Sequence, residues 1–168
     1  MLLIDIDKKR YRRHLNIVMS VCIASLVLGS LGIAQLLILL FPSPEGTHFH
    51  WNLLGVIATV LTILAVVNHY KKHPLMFEVL YVWRLKQALN LIARKLTKIE
   101  SAARMGDKTA LLALQFSYSG SRQLWLLDDN TLTLSKLDKS EAELQQLLLK
   151  YDISLDITKY HSDLLKSF

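Results

Sequence analysis

The side chains able to do chemistry lie in three short clusters, and each misses the spacing its chemistry needs. His48-Phe49-His50 offers two imidazoles with Glu45 nearby in the chain, but a zinc centre takes three or four ligands with a defined outer shell. His69 and His73 stand at the i, i+4 spacing of helical metal ligands. No HExxH glutamate accompanies them, and Pro74 disfavours helical geometry at His73. Asp128-Asp129-Asn130-Thr131 has the oxygen ligands of a calcium loop. Counting from Asp128, however, the sixth residue is Thr133 where glycine belongs, and the twelfth is Lys139 where glutamate belongs. The clusters read as loop residues, as interfacial residues beside Lys71 and Lys72, and as a capped turn between helices.

No Gly-rich phosphate loop, nucleophile elbow or readable carboxylate pair is present. The expectation is a protein that is not an enzyme, with no cofactor and no metal. Cys22 is the only cysteine, so no disulfide can form within the chain.

The elements that hold these residues are dominated by two apolar runs. The chain has 168 residues, 52% of them hydrophobic, with a mean hydropathy of +0.30. Residues 17–41 carry no charged side chain, and at a helical rise they exceed a hydrocarbon core of roughly 30 Å. The run is also longer than the apolar part of a cleavable leader. Residues 51–67 contain no ionisable group, with Trp51 and Tyr70 where interfacial aromatics sit. The expected spans are therefore 15–41 and 51–70, joined by a periplasmic loop, 42–50.

Charge sets the orientation. Residues 1–14 carry a net +3 and residues 69–104 a net +6, whereas the intervening loop holds only Glu45 and residues 105–168 carry −2. Lysine and arginine mark the cytoplasmic side, so both termini are expected inside an inner membrane. The basic collar suits anionic lipid head groups, at about 1 kcal/mol per well-placed base. No nucleic-acid partner is expected, because the bases flank the spans and no recognition motif accompanies them.

Small residues one turn apart let helices approach closely. Ser25 and Gly29, Ser30 and Ala34, and Gly55 and Thr59 are so placed. They serve packing within the hairpin or against a partner's spans, and sequence does not separate the two.

Beyond Pro74, Leu75, Val82, Leu85, Leu89, Ile92, Leu96, Ile99 and Ala103 recur at threes and fours. One long helix ending near Gly106 is expected. Asp107 can cap the next, in which residues 117–121 could equally be a turn, or Gly120 a kink or a close packing point. Thr133 can cap a third, and a short helix is expected from about 156 to 166. The predicted fold is all-α: a transmembrane hairpin after a basic segment, 1–14, then a cytoplasmic antiparallel bundle, 71–168, of three main helices plus a short C-terminal one. Leu75, Met76, Phe77, Leu80, Tyr81 and Trp83 spread apolar surface all round the first bundle helix, with Glu78 as the lone charge among them. With Lys71 and Lys72 they are the expected contacts for lipid or for a partner, either a second copy or another membrane protein.

The stretches "IDIDKKRYRRHLN", "WNLLGV", "KHPLMFEVLYVWRLKQALN" and "LDDNTLTL" resemble a family of small inner-membrane proteins of Gammaproteobacteria, domain of unknown function 3087. The resemblance covers nearly the whole chain. It implies two spans and a bacterial address, and brings no activity, cofactor or catalytic residue. The expected role is an accessory or scaffold subunit of a membrane complex or a homo-oligomer, with an anionic-lipid-binding membrane organiser as the alternative.

Overall fold

The computed structural model describes residues 2–42, 48–130 and 133–168. Most of the expected outer loop, including Glu45, and Thr131 of the "LDDNTLTL" turn lie outside the described residues. Those residues form six α-helices, α1 (Lys8–Leu40), α2 (Phe49–Tyr70), α3 (Pro74–Ala93), α4 (Leu96–Arg104), α5 (Lys108–Leu127) and α6 (Leu134–Lys150), followed by two 3-10 segments, Ile157–Lys159 and Ser162–Ser167. They contain no strand, so the all-α expectation holds for them.

Two compact units divide the chain: Lys9–Leu80, and Tyr81–Phe168 together with the first eight residues. These bounds differ from the segments expected at 1–14 and 71–168, and each difference has a physical cause. Lysine and arginine are good helix formers, so the basic residues 8–14 continue α1 toward its N-terminus. Residues 74–80 belong with α1 and α2 because Glu78 is tied to α1 by ion pairs.

In the first unit α1 has 33 residues and α2 has 22, and both are long and apolar enough to cross a membrane. At 1.5 Å per residue they measure about 50 Å and about 33 Å. Their leucines face outward: Leu28 is 72% exposed and Leu39 78%. At the loop end, Phe41 stacks on Trp51 with ring centroids 5.4 Å apart.

The second unit is built on a buried apolar core. Leu85, Ile92, Ile99, Leu111 and Phe116 are fully buried, each contributing about 1.5–3 kcal/mol by leaving water. Phe116 stacks on Tyr160 at 3.9 Å, which holds the C-terminal segment against α5. Gly120 lies within a continuous α5, and a Cβ there would stand 3.1 Å from the ends of Leu85 and Leu89. Its role is close packing. Gly106 takes φ +86° after α4, and Asp107 caps α5 by accepting from the Ala110 N–H at 2.9 Å. Arg122 joins α5 to α6, donating to Glu141 at 2.6 and 3.1 Å and to Asp138 at 2.5 Å.

Three expectations need correction. The long helix after Pro74 breaks at Arg94-Lys95, giving α3 and α4 and four α-helices after the turn instead of three. There the Lys95 N–H bonds the Ile92 carbonyl three residues back, and its ammonium donates to the Leu165 carbonyl at 2.7 Å. The break thus coincides with a bond from Lys95 to the C-terminal segment. The expected C-terminal helix is two 3-10 segments, separated by Tyr160 and His161, whose backbone is extended. Thr133 does precede α6, but its side chain makes no capping bond.

The N-terminal residues also pack into this unit. The Ile4 N–H donates to the Tyr81 hydroxyl at 2.8 Å, that hydroxyl donates to Gln123 Oε1 at 3.0 Å, and the Gln123 amide returns a bond to the Ile4 carbonyl. Lys8 pairs with Asp129.

Candidate functional site

The surface around the turn between α2 and α3 is shaped first by helix chemistry. After Tyr70 the chain turns through Lys71, Lys72 and His73, and Pro74 starts α3, where its missing N–H costs nothing. His73 Nδ1 accepts from the Leu75 N–H at 3.3 Å. This imidazole therefore acts as a cap for the new helix, a local role for half of the His69/His73 pair.

Along α3 the expected contact residues separate by burial. Met76 and Tyr81 are buried and Leu80 is half-buried, whereas Leu75, Phe77 and Trp83 are 40%, 53% and 54% exposed. Lys71 and Lys72 are exposed in the turn.

Glu78 is the residue that sequence reasoning missed. It is buried, with 2% of its surface exposed. Arg10 Nε lies 2.5 Å from one carboxylate oxygen and His14 Nδ1 3.0 Å from the other. Burial pushes its pKa upward, but the His14 hydrogen bond, a backbone hydrogen bond and the Arg10 guanidinium outweigh that and hold it below the ordinary carboxylate range. A signal was available: Arg10 and His14 are four residues apart, on one face of a helix once the basic segment is read as helical.

An apolar groove of about 440 Å³ is walled by α1, α2 and the start of α3. Val21, Ser25, Thr62, Val66, Tyr70 and Met76 are among its lining. The Thr62 hydroxyl is committed to the Ala58 carbonyl at 2.8 Å, so it presents little polarity to the groove.

Further along the helix pair, small residues set the approach. A Cβ on Gly29 would stand 2.8 Å from Thr59 Cγ2, and one on Gly55 would stand 2.7 Å from the Ser30 carbonyl and 3.1 Å from Ala34 Cβ. Thr59 and Ala34 are buried, and the Thr59 hydroxyl bonds the Gly55 carbonyl at 2.7 Å. Four of the five residues expected to pack, Gly29, Ala34, Gly55 and Thr59, thus meet within the pair itself. Ser25 lines the groove instead.

Among the described residues no three His, Cys, Asp or Glu side chains gather where they could hold a metal ion. A second cleft, between α5 and α6, is lined by Tyr118, Arg122, Asp138 and Glu141, with the arginine and both carboxylates bonded to one another.

No curated protein and no solved structure matches the chain. Residues 1–165 match a family described as a protein of unknown function, DUF3087, and the chain belongs to that family.

Proposed function

We propose that this protein is a bacterial inner-membrane-anchored interaction module that presents α3 to a partner, a second copy or another membrane protein, as an accessory or scaffold subunit. The observation that carries the reading is the outward face of α3. Tyr81, Val82, Leu85 and Ile92 are buried, while Phe77, Trp83 and Leu91 keep 53%, 54% and 44% of their surface exposed. Exposed aromatics on the helix that follows two apolar helices in the chain give a partner anchors to bury.

Anchoring is supported by the exposed leucines of α1 and α2, which in water would be a large unfavourable surface. The docking of Ile4 on Tyr81 and Gln123 supports a hairpin. If residues 2–8 fold with those that follow α2, both flanks of the helix pair lie on one side of a bilayer. The lysines and arginines on those flanks make that side cytoplasmic.

A photo-crosslinking residue at Trp83, in cells, tests the role. A discrete homo-oligomer or one stoichiometric partner is expected; a clean monomer with no adduct would overturn the reading. The alternative, an anionic-lipid organiser, is favoured by the exposed Lys71 and Lys72. It requires that the full chain cluster on anionic vesicles and disperse as salt rises.

A further inference from the structure

The apolar groove beside the α2–α3 turn has a polarity that its wall alone does not explain. Its lining comes from residues 17–25 of α1, 62–70 of α2 and 73–76 at the turn. Charge stands at one end only. Lys71 and Lys72 are exposed between two lining residues, Tyr70 and His73, and Arg13 is exposed one helical turn before the lining residue Ile17. Lys71 bonds the neutral Asn68 amide at 3.1 Å, which leaves its charge uncompensated. Of the acids closest in sequence to these bases, Asp7 precedes Arg13 by six residues, and Glu78 follows Lys72 by six and has both oxygens engaged by Arg10 and His14.

We propose that this groove binds one anionic phospholipid, with an acyl chain along Val21, Ser25 and Val66 and the phosphate held by Arg13, Lys71 and Lys72. The proposal rests on the reading of α1 and α2 as membrane spans, and it gives the lipid contact a defined site. An apolar slot with no acid in its lining, and with three exposed bases within four residues of that lining in the chain, matches an amphiphile with an anionic head. Its volume of about 440 Å³ falls within the roughly 300–1,000 Å³ usual for small-ligand sites. A second copy is a poorer complement: between His14 and Tyr70 the only acid is Glu45, so another copy's spans bring no negative charge to the bases.

The test uses the full chain in mild detergent, with native mass spectrometry reading the retention of phosphatidylglycerol against phosphatidylcholine of the same acyl chains. One retained phosphatidylglycerol per chain is expected. Lys71→Ala/Lys72→Ala should weaken it roughly 30-fold, from about a factor of five per base, and leave phosphatidylcholine unchanged. Ser25→Trp, which fills the slot, should remove retention, and glycerol phosphate, the head without chains, should not compete. Circular dichroism checks that both variants remain helical, and the lysine variant alters only exposed turn residues.

Equal retention of the two lipids, indifference to the lysine change, displacement by glycerol phosphate, or a lipid-free dimer that Ser25→Trp dissociates would each overturn the proposal while leaving the spans intact. Release of the wild-type chain from membranes by alkaline carbonate would instead overturn the spanning reading, and this site with it.

Discussion

His14 Nδ1 lies 3.0 Å from Glu78 Oε2, across 64 residues of chain, and fastens the second turn of α3 to α1. The carboxylate is almost without water, and Arg10 completes its partners. Removing one partner of such a group leaves the others unpaired, but Arg10 is more than half exposed and water screens its share. Glu78→Ala should therefore cost about 1–3 kcal/mol, read as a lowered melting temperature in detergent. A melting temperature equal to wild type would show that the pairing holds nothing.

The same group makes an acid limb. Its folded pKa is depressed, so its contribution is present above the unfolded value, about 4.3, and is lost as pH falls through the folded value. Melting profiles of wild type should therefore fall more steeply below about pH 4 than those of Glu78→Gln. Parallel acid limbs would contradict the assignment.

Tyr160 gives the opposite sign. Burial against Phe116 pushes its phenol up to about 12. The neutral form is favoured in the fold, so this contribution is complete below an unfolded value of about 10 and lost as pH rises through about 12. Tyr160→Phe should keep the stacking and flatten the alkaline limb in a pH-resolved melt.

The three glycines of α1 and α2 rank themselves. A Cβ at Gly55 meets backbone atoms of α1, one at Gly29 meets the Thr59 side chain, and one at Gly32 meets nothing within 4 Å. Gly55→Ala should destabilise the pair by about 1–3 kcal/mol, Gly29→Ala by less, and Gly32→Ala should be neutral or stabilising by up to about 1 kcal/mol. Melting temperatures of the three variants in detergent check the order.

Side of membrane is open to direct labelling. In a Cys22→Ser background, a cysteine at Ser43 should react with an impermeant maleimide from the periplasm and one at Ser162 only after the inner membrane is opened. The reverse pattern would overturn the orientation.

What the sequence made legible was periodic or local. Two long apolar helices, the Asp107 cap, the left-handed Gly106 and the small-residue spacing of Gly29, Ala34, Gly55 and Thr59 all follow from neighbours within one or two turns, but not which surface those small residues would meet. What it concealed depends on residues far apart in the chain. The Arg94-Lys95 break answers to Leu165, and the burial of Glu78 answers to Arg10 and His14. The groove requires three segments at once. Glu78 stood out only as the lone charge among apolar neighbours, because its partners sit in the basic segment 1–14, which was not expected to continue α1.

The bond from Gln123 to the Ile4 carbonyl joins residues 119 apart. During synthesis the N-terminal residues emerge first, yet their docking site is finished only after α5 has been made. Until then Ile4 and Ile6 have no protein surface to cover them. Residues 2–8 are thus made before α1 and α2 but meet Gln123 only after both, so this unit closes only once α5 is complete.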